Sequence, residues 1–126
     1  MRNPKIKNAT VVTVDGVTFR SKLEARFAQL LRLHKIPYKY EEETWVILDK
    51  FEYEGEKIRA VTYTPDFILG DLVVEIKGWQ NDVFPLKRKF ILRHLLDTHS
   101  RYKFRLVKTV KDMMNVIGEY KQLTNK

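Results

Sequence analysis

Asp66, Glu75 and Lys77 are the residues of this chain whose types and spacing could do chemistry. They stand in the stretch TPDFILGDLVVEIKGW, residues 64–79, on either side of a Gly70-Asp71 pair suited to a two-residue hairpin turn. Counting outward from that turn sets Leu69 opposite Leu72, Ile68 opposite Val73, Phe67 opposite Val74 and Asp66 opposite Glu75. Residues opposed in this way have Cβ atoms about 4.5–5.5 Å apart, and like charges placed there are destabilising. Strand alternation puts Glu75 and Lys77 on one face and Leu72, Val74 and Ile76 on the other, with Lys77 diagonal to Asp66. One ammonium offsets two carboxylates only in part. A hard divalent cation such as Mg²⁺ takes oxygen ligands, is commonly held by one or two carboxylates plus waters, and would turn the repulsion into a site. The bland alternative is a solvated hairpin end, where two exposed acids tolerate each other and Lys77 is a surface cation or an ion-pair partner of Asp66. Against it stands the apolar face of Phe67, Leu69, Leu72, Val74 and Ile76, followed by Gly78, where a chain can turn close to a ligand.

The elements that must position these groups are legible in outline. TVVTVDGVTF reads as two short β runs joined by Asp15-Gly16. In SKLEARFAQLLRLHKIP, Leu23, Phe27, Leu30 and Leu31 recur at helical spacing, Ser21 can cap the start and Pro37 ends the run. The aromatic and β-branched stretch that follows predicts a strand near 44–48 and another near 57–64, with Gly55 at a turn. The 66–69 and 72–77 hairpin continues that sheet. A helix is expected over NDVFPLKRKFILRHLLDTH, with Asn81 or Asp82 near its start and Pro85 in its first turn. YKFRLV alternates as a strand, and Thr109 with Asp112 has capping-box spacing ahead of a last helix. The order is helix, strands, helix, strand, helix around one central mixed sheet of about four to five strands, an α/β or α+β arrangement.

The 126 residues suit one domain with one core, with looser ends expected near residues 1–8 and 121–126. Lys and Arg number 24 against 16 Asp and Glu, and the resulting net charge of +8 favours polyanionic partners such as nucleic acid or an anionic membrane surface. The membrane is the weaker expectation: no run approaches a span of about 20 apolar residues, and the basic helix carries no clean amphipathic stripe. The opening MRNPKIKNAT has no apolar signal-peptide core, so an intracellular, cytoplasmic protein is expected. With no cysteine, thiolate chemistry and Cys-ligated metals are excluded. His34, His94 and His99 show no ligand spacing, and His34 and His94 read as packing or surface residues, so any metal must be held by carboxylates.

Pro65-Asp66, eight residues, then Glu75-Ile76-Lys77 resembles the signature of the PD-(D/E)XK nuclease superfamily. Glu24, on the helix ahead of the sheet, occupies the place where that superfamily often carries a further acid. Phe19, Ser21, Lys22 and Glu24, the PDF strand, the Glu-x-Lys-Gly strand and the basic Leu86–Lys89 run are similar to small phage-encoded members, Holliday-junction resolvases among them. The resemblance implies a restriction-endonuclease-like core and an Mg²⁺- or Mn²⁺-dependent DNA endonuclease that leaves a 5′-phosphate and a 3′-hydroxyl. It implies a phage or prophage origin in a bacterial host, acting in DNA recombination, replication or packaging.

By the same resemblance Asp66, Glu75 and the main-chain carbonyl of Ile76 would be metal ligands, and Lys77 would orient the attacking water and stabilise transition-state charge. Glu24 is either a further ligand or water-positioning acid, or the return half of a capping box with Ser21. Lys87, Arg88, Lys89 and Arg93 would contact phosphates without reading bases, with Arg20 and Lys22 beside the site as further candidates. Each of these also has a plain reading as solvated surface charge. Glu41, Glu42 and Glu43 read as mostly solvated, with Glu41 or Glu43 a minor candidate; Trp45 and Trp79 read as packing, with base stacking a second role for Trp79. The DNA partner could be branched, in which case cutting two strands symmetrically calls for a homodimer. The alternative of a different class is a nucleic-acid-binding or interaction module that kept the fold and lost turnover.

Overall fold

A computed structural model describes residues 11–14, 16–77, 83–99 and 101–125. In chain order the elements are β1 (Val12–Val14), β2 (Val17–Phe19), α1 (Lys22–Leu33), β3 (Lys39–Tyr40), β4 (Trp45–Leu48), β5 (Phe51–Tyr53), β6 (Glu56–Ile58), β7 (Val61–Tyr63), β8 (Phe67–Leu69), β9 (Leu72–Ile76), α2 (Phe84–Thr98), β10 (Lys103–Val107) and α3 (Val110–Thr124). The class is α+β. Its central sheet is mixed and four-stranded in the order β10-β9-β8-β3, with β10 parallel to β9 and the other pairs antiparallel.

The β8–β9 hairpin has the register expected from its sequence: Phe67 pairs with Val74, Ile68 with Val73 and Leu69 with Leu72. Gly70 takes φ 57° at the first turn position, in the left-handed region that a Cβ disfavours. Residues of alternate parity then face different layers. Phe67, Leu69, Leu72, Val74 and Ile76 enter one core with Phe27 and Leu31 of α1 and Met113 and Ile117 of α3. Ile68 and Val73 enter a second core with Ile91 and Leu95 of α2, Trp45 and Tyr63. The hairpin is thus covered on both faces, and this burial is what holds its carboxylates away from bulk water.

The starts of α1 and α3 are capped by the residues the sequence marks. Ser21 Oγ accepts the Glu24 N–H at 3.1 Å, and Thr109 and Asp112 form a reciprocal capping box. Proline stands in the first turn of α2, where its missing N–H costs nothing, and Val83 precedes it without a side-chain cap. Asn81 and Asp82, expected near that start, lie outside the described residues, as do Gly78 and Trp79. Helix α3 continues to Thr124, through most of the terminal run expected to be loose.

The middle of the chain departs from the sequence reading. The single strand expected over 57–64 is two, β6 pairing with β5 and β7 with β4, and the β4–β7 ladder shifts register between Val46 and Leu48. These ribbons do not join the central sheet. Pro65, between β7 and β8, has no N–H to offer a ladder, so pairing breaks there and restarts at Phe67. Strands β3 and β5 are two and three residues long, too short for alternation to announce them. Trp45 is packing, as expected: it is buried and lies against the rings of His94, His99 and Tyr102. Among the described residues no helix is long and apolar enough to cross a membrane.

Candidate functional site

Asp66 follows Pro65 at the bend that opens β8, and Glu75 and Ile76 close β9. The Ile76 N–H donates to Asp66 Oδ2 at 2.7 Å, which ties the aspartate to the end of the neighbouring strand. The Asp66 main-chain carbonyl accepts the Glu41 N–H at 3.1 Å, fixing the bend from the other side. Asp66 is 9% exposed and Glu75 8%, so the solvated hairpin end is not what the fold builds.

Glu75 is held by two donors. The Tyr63 hydroxyl donates to Oε1 at 2.6 Å, and Lys77 Nζ lies 3.4 Å from Oε2. Lys77 therefore pairs with Glu75, two residues back on the same face of the strand, and not with Asp66. Its ammonium also sits 4.4 Å from the centroid of the Phe84 ring at the start of α2, a cation–π contact that keeps it over the site.

Glu24 is the third acid, 7% exposed in the first turn of α1. Only half a capping box forms: Ser21 Oγ takes the Glu24 N–H, but the Glu24 carboxylate accepts the Arg20 N–H at 3.2 Å and the Tyr40 hydroxyl at 2.5 Å. The carboxylate is thus oriented by β3 and by the residue before the cap, a placement the capping-box pattern alone would not give.

The electrostatics follow from this crowding. Burial, then the charges of Glu75 and Glu24, push the Asp66 carboxyl well above the usual range, against the pull of the Ile76 N–H. Burial also raises Glu75, opposed by the Tyr63 hydroxyl and the Lys77 ammonium. Tyr63 is raised in turn by burial and by the two carboxylates. Two acids with raised proton affinity, buried together with the Lys77 ammonium against Glu75 alone, form a centre short of positive charge.

Hard oxygen donors of this kind fit Mg²⁺ or Mn²⁺. Among the described residues no three His, Cys, Asp or Glu side chains form a group that could hold a metal ion; Asp66 and Glu75 are a buried pair, and the charge of Glu24 acts on both. Two carboxylates, a carbonyl such as that of Ile76 and waters are enough for Mg²⁺.

The basic residues divide. Lys87 of α2 reaches the site, its Nζ 5.8 Å from the centroid of the Tyr63 ring. Arg88 and Lys89 are exposed on the same helix. Arg93 is engaged by Asp97 one turn on, at 3.0 Å, which takes up part of its charge. Arg20 pairs with Glu41 at 3.2 Å and Lys22 is exposed at the start of α1. Glu43 accepts from Trp45 Nε1 and pairs with Lys39, while His34 meets Lys121; these residues brace the surroundings. Sequence reasoning missed Tyr40 and Tyr63. Each comes from a strand outside the hairpin, and only the position of Tyr63 three residues before Asp66 hinted at it.

The chain belongs to the DUF1064 family, described as proteins of unknown function, whose model matches residues 5–111 and so spans every residue of the site. No curated protein and no solved structure matches the chain.

Proposed function

We propose that the protein is a metal-dependent DNA endonuclease of the PD-(D/E)XK type. The observation that carries this reading is the burial of Asp66 and Glu75 together, with raised proton affinity and with Lys77 against Glu75. Buried like charges are costly to a fold, and a structural role would be better served by apolar residues. A cation-binding role gives them a reason.

When bound, the divalent ion would neutralise the acids, acidify a water and polarise a phosphoryl oxygen. Asp66 and Glu75 would hold it, with the Ile76 carbonyl as a further oxygen, and Glu24 would add negative potential at the edge of the site. Lys77 hydrogen-bonds the attacking water and stands over charge developing on the phosphoryl oxygens. The water oxygen bonds to phosphorus as the P–O3′ bond breaks in line; the water's proton passes to solvent, and the leaving 3′ oxygen takes a proton from solvent. The products are a 5′-phosphate and a 3′-hydroxyl. Lys87, Arg88 and Lys89 hold the backbone by phosphate contacts, which carry little sequence information.

A junction-resolving role, with a homodimer placing two sites on one branched substrate and a phage setting, is the finer form of this proposal. The pure protein is incubated with labelled four-way junction, Y-fork, duplex and single-stranded DNA under Mg²⁺, Mn²⁺ or EDTA. Metal-dependent cuts at paired positions across the junction are the result expected of a resolvase. Cuts spread over the other substrates retain the nuclease and remove the resolvase. DNA binding with no cutting under any metal makes the protein a binding module.

A further inference from the structure

We infer that Tyr63 is a positioning residue that ties the carboxylate of Glu75 to the phosphate-facing Lys87. The inference rests on the metal-site reading above and concerns a residue outside the Asp–Glu–Lys motif. Tyr63 ends β7, on a ribbon that is not hydrogen-bonded to the central sheet, yet its ring is 5% exposed and packs in the core shared by Ile68, Val73, Trp45 and α2. That packing aims the hydroxyl at Glu75 Oε1, 2.6 Å away. The same ring offers its face to the Lys87 ammonium at 5.8 Å.

The two ends of the side chain do different work. The hydroxyl fixes which way the Glu75 carboxylate points and leaves Lys77 to engage the other oxygen, Oε2. The ring face holds Lys87 without neutralising it, because a cation–π contact leaves the ammonium free to meet a phosphate. Tyr63 therefore sets the distance between the cation centre and the first phosphate contact of α2. Groups that orient a metal ligand typically alter metal affinity by about 10–100-fold when removed.

The test uses Mn²⁺ titrated calorimetrically into the full chain, and DNA binding measured separately in EDTA as a function of salt. Tyr63→Phe keeps the ring and removes the hydroxyl: Mn²⁺ affinity should fall by about 10–100-fold with DNA affinity unchanged. Tyr63→Leu should lose both. Lys87→Ala should weaken DNA binding and lower its salt slope by about one, with Mn²⁺ affinity unchanged. Tyr63→Leu also lacks the hydroxyl, so its Mn²⁺ affinity decides the matter if Tyr63→Phe folds poorly. Wild-type Mn²⁺ affinity in a folded Tyr63→Phe or Tyr63→Leu protein overturns the inference and leaves the metal site standing. A wild-type chain that takes up no Mn²⁺ overturns the metal-site reading and this inference with it. Metal uptake without DNA cleavage removes the nuclease activity alone.

Discussion

At the residue scale, the distinctive act of this fold is to bury Asp66 beside Glu75 with only partial compensation. The Ile76 N–H lowers the cost at Asp66 and Lys77 lowers it at Glu75, yet the Asp66 carboxyl keeps a raised proton affinity. The sign of its effect on stability follows. A carboxyl whose folded-state value lies above its unfolded value of about 3.9 contributes stability that is fully present below that value and lost as pH rises through the folded one. In EDTA the wild-type chain should therefore melt at lower temperature at pH 8 than at pH 5, and Mn²⁺ should reverse the difference. Asp66→Asn should flatten the profile and raise stability at pH 8, as thermal melts would show. A second expectation concerns Lys77, which touches the site through Glu75 Oε2 and is steadied by Phe84. Lys77→Met should lower kcat by about 10²–10³-fold, with Mn²⁺ affinity not weakened. Steady-state kinetics beside calorimetry would separate the two effects.

At the element scale, the β8–β9 hairpin is the part that sequence specified most fully. Gly70-Asp71 sets the turn, alternation sorts the side chains into two faces, and the observed register follows from those two facts. The left-handed φ at Gly70 makes the turn testable: Gly70→Ala should cost about 1–2 kcal/mol in urea denaturation. The space that its Cβ would enter is adequate, with Tyr120 Cε1 at 3.5 Å, so strain in the backbone is the cause. The caps at Ser21 and Thr109 were equally legible, because a cap needs only residues three apart in sequence. The tyrosines were not. Tyr63 and Tyr40 reach Glu75 and Glu24 from strands separated from them by 12 and 16 positions, and no local period encodes such a meeting. The break at Pro65 was written in the sequence too, but its consequence, two ribbons standing apart from the sheet, depends on tertiary packing.

At the scale of the whole molecule, a net charge of +8 is distributed around a centre that is itself acidic. Arg88 and Lys89 lie exposed on α2, the helix whose Phe84 and Lys87 meet Lys77 and Tyr63, so the helix beside the site also carries exposed cations. Charge of that kind attracts a phosphate backbone without reading its bases. Arg88→Ala and Lys89→Ala should each weaken binding about equally across unrelated DNA sequences and reduce the salt slope by about one, in titrations at several salt concentrations. The basic composition suggested this face; that Arg88 and Lys89 stand exposed on it, and that Arg93 pairs with Asp97, required the fold.

The most direct measurement is the rate of cleavage of labelled DNA by the wild-type chain as Mg²⁺ is titrated against EDTA, beside Asp66→Asn. Cleavage that rises with Mg²⁺, vanishes in EDTA and is lost in a folded Asp66→Asn protein is the predicted result. Cleavage that persists in EDTA, or that Asp66→Asn retains at the wild-type rate, would contradict the account.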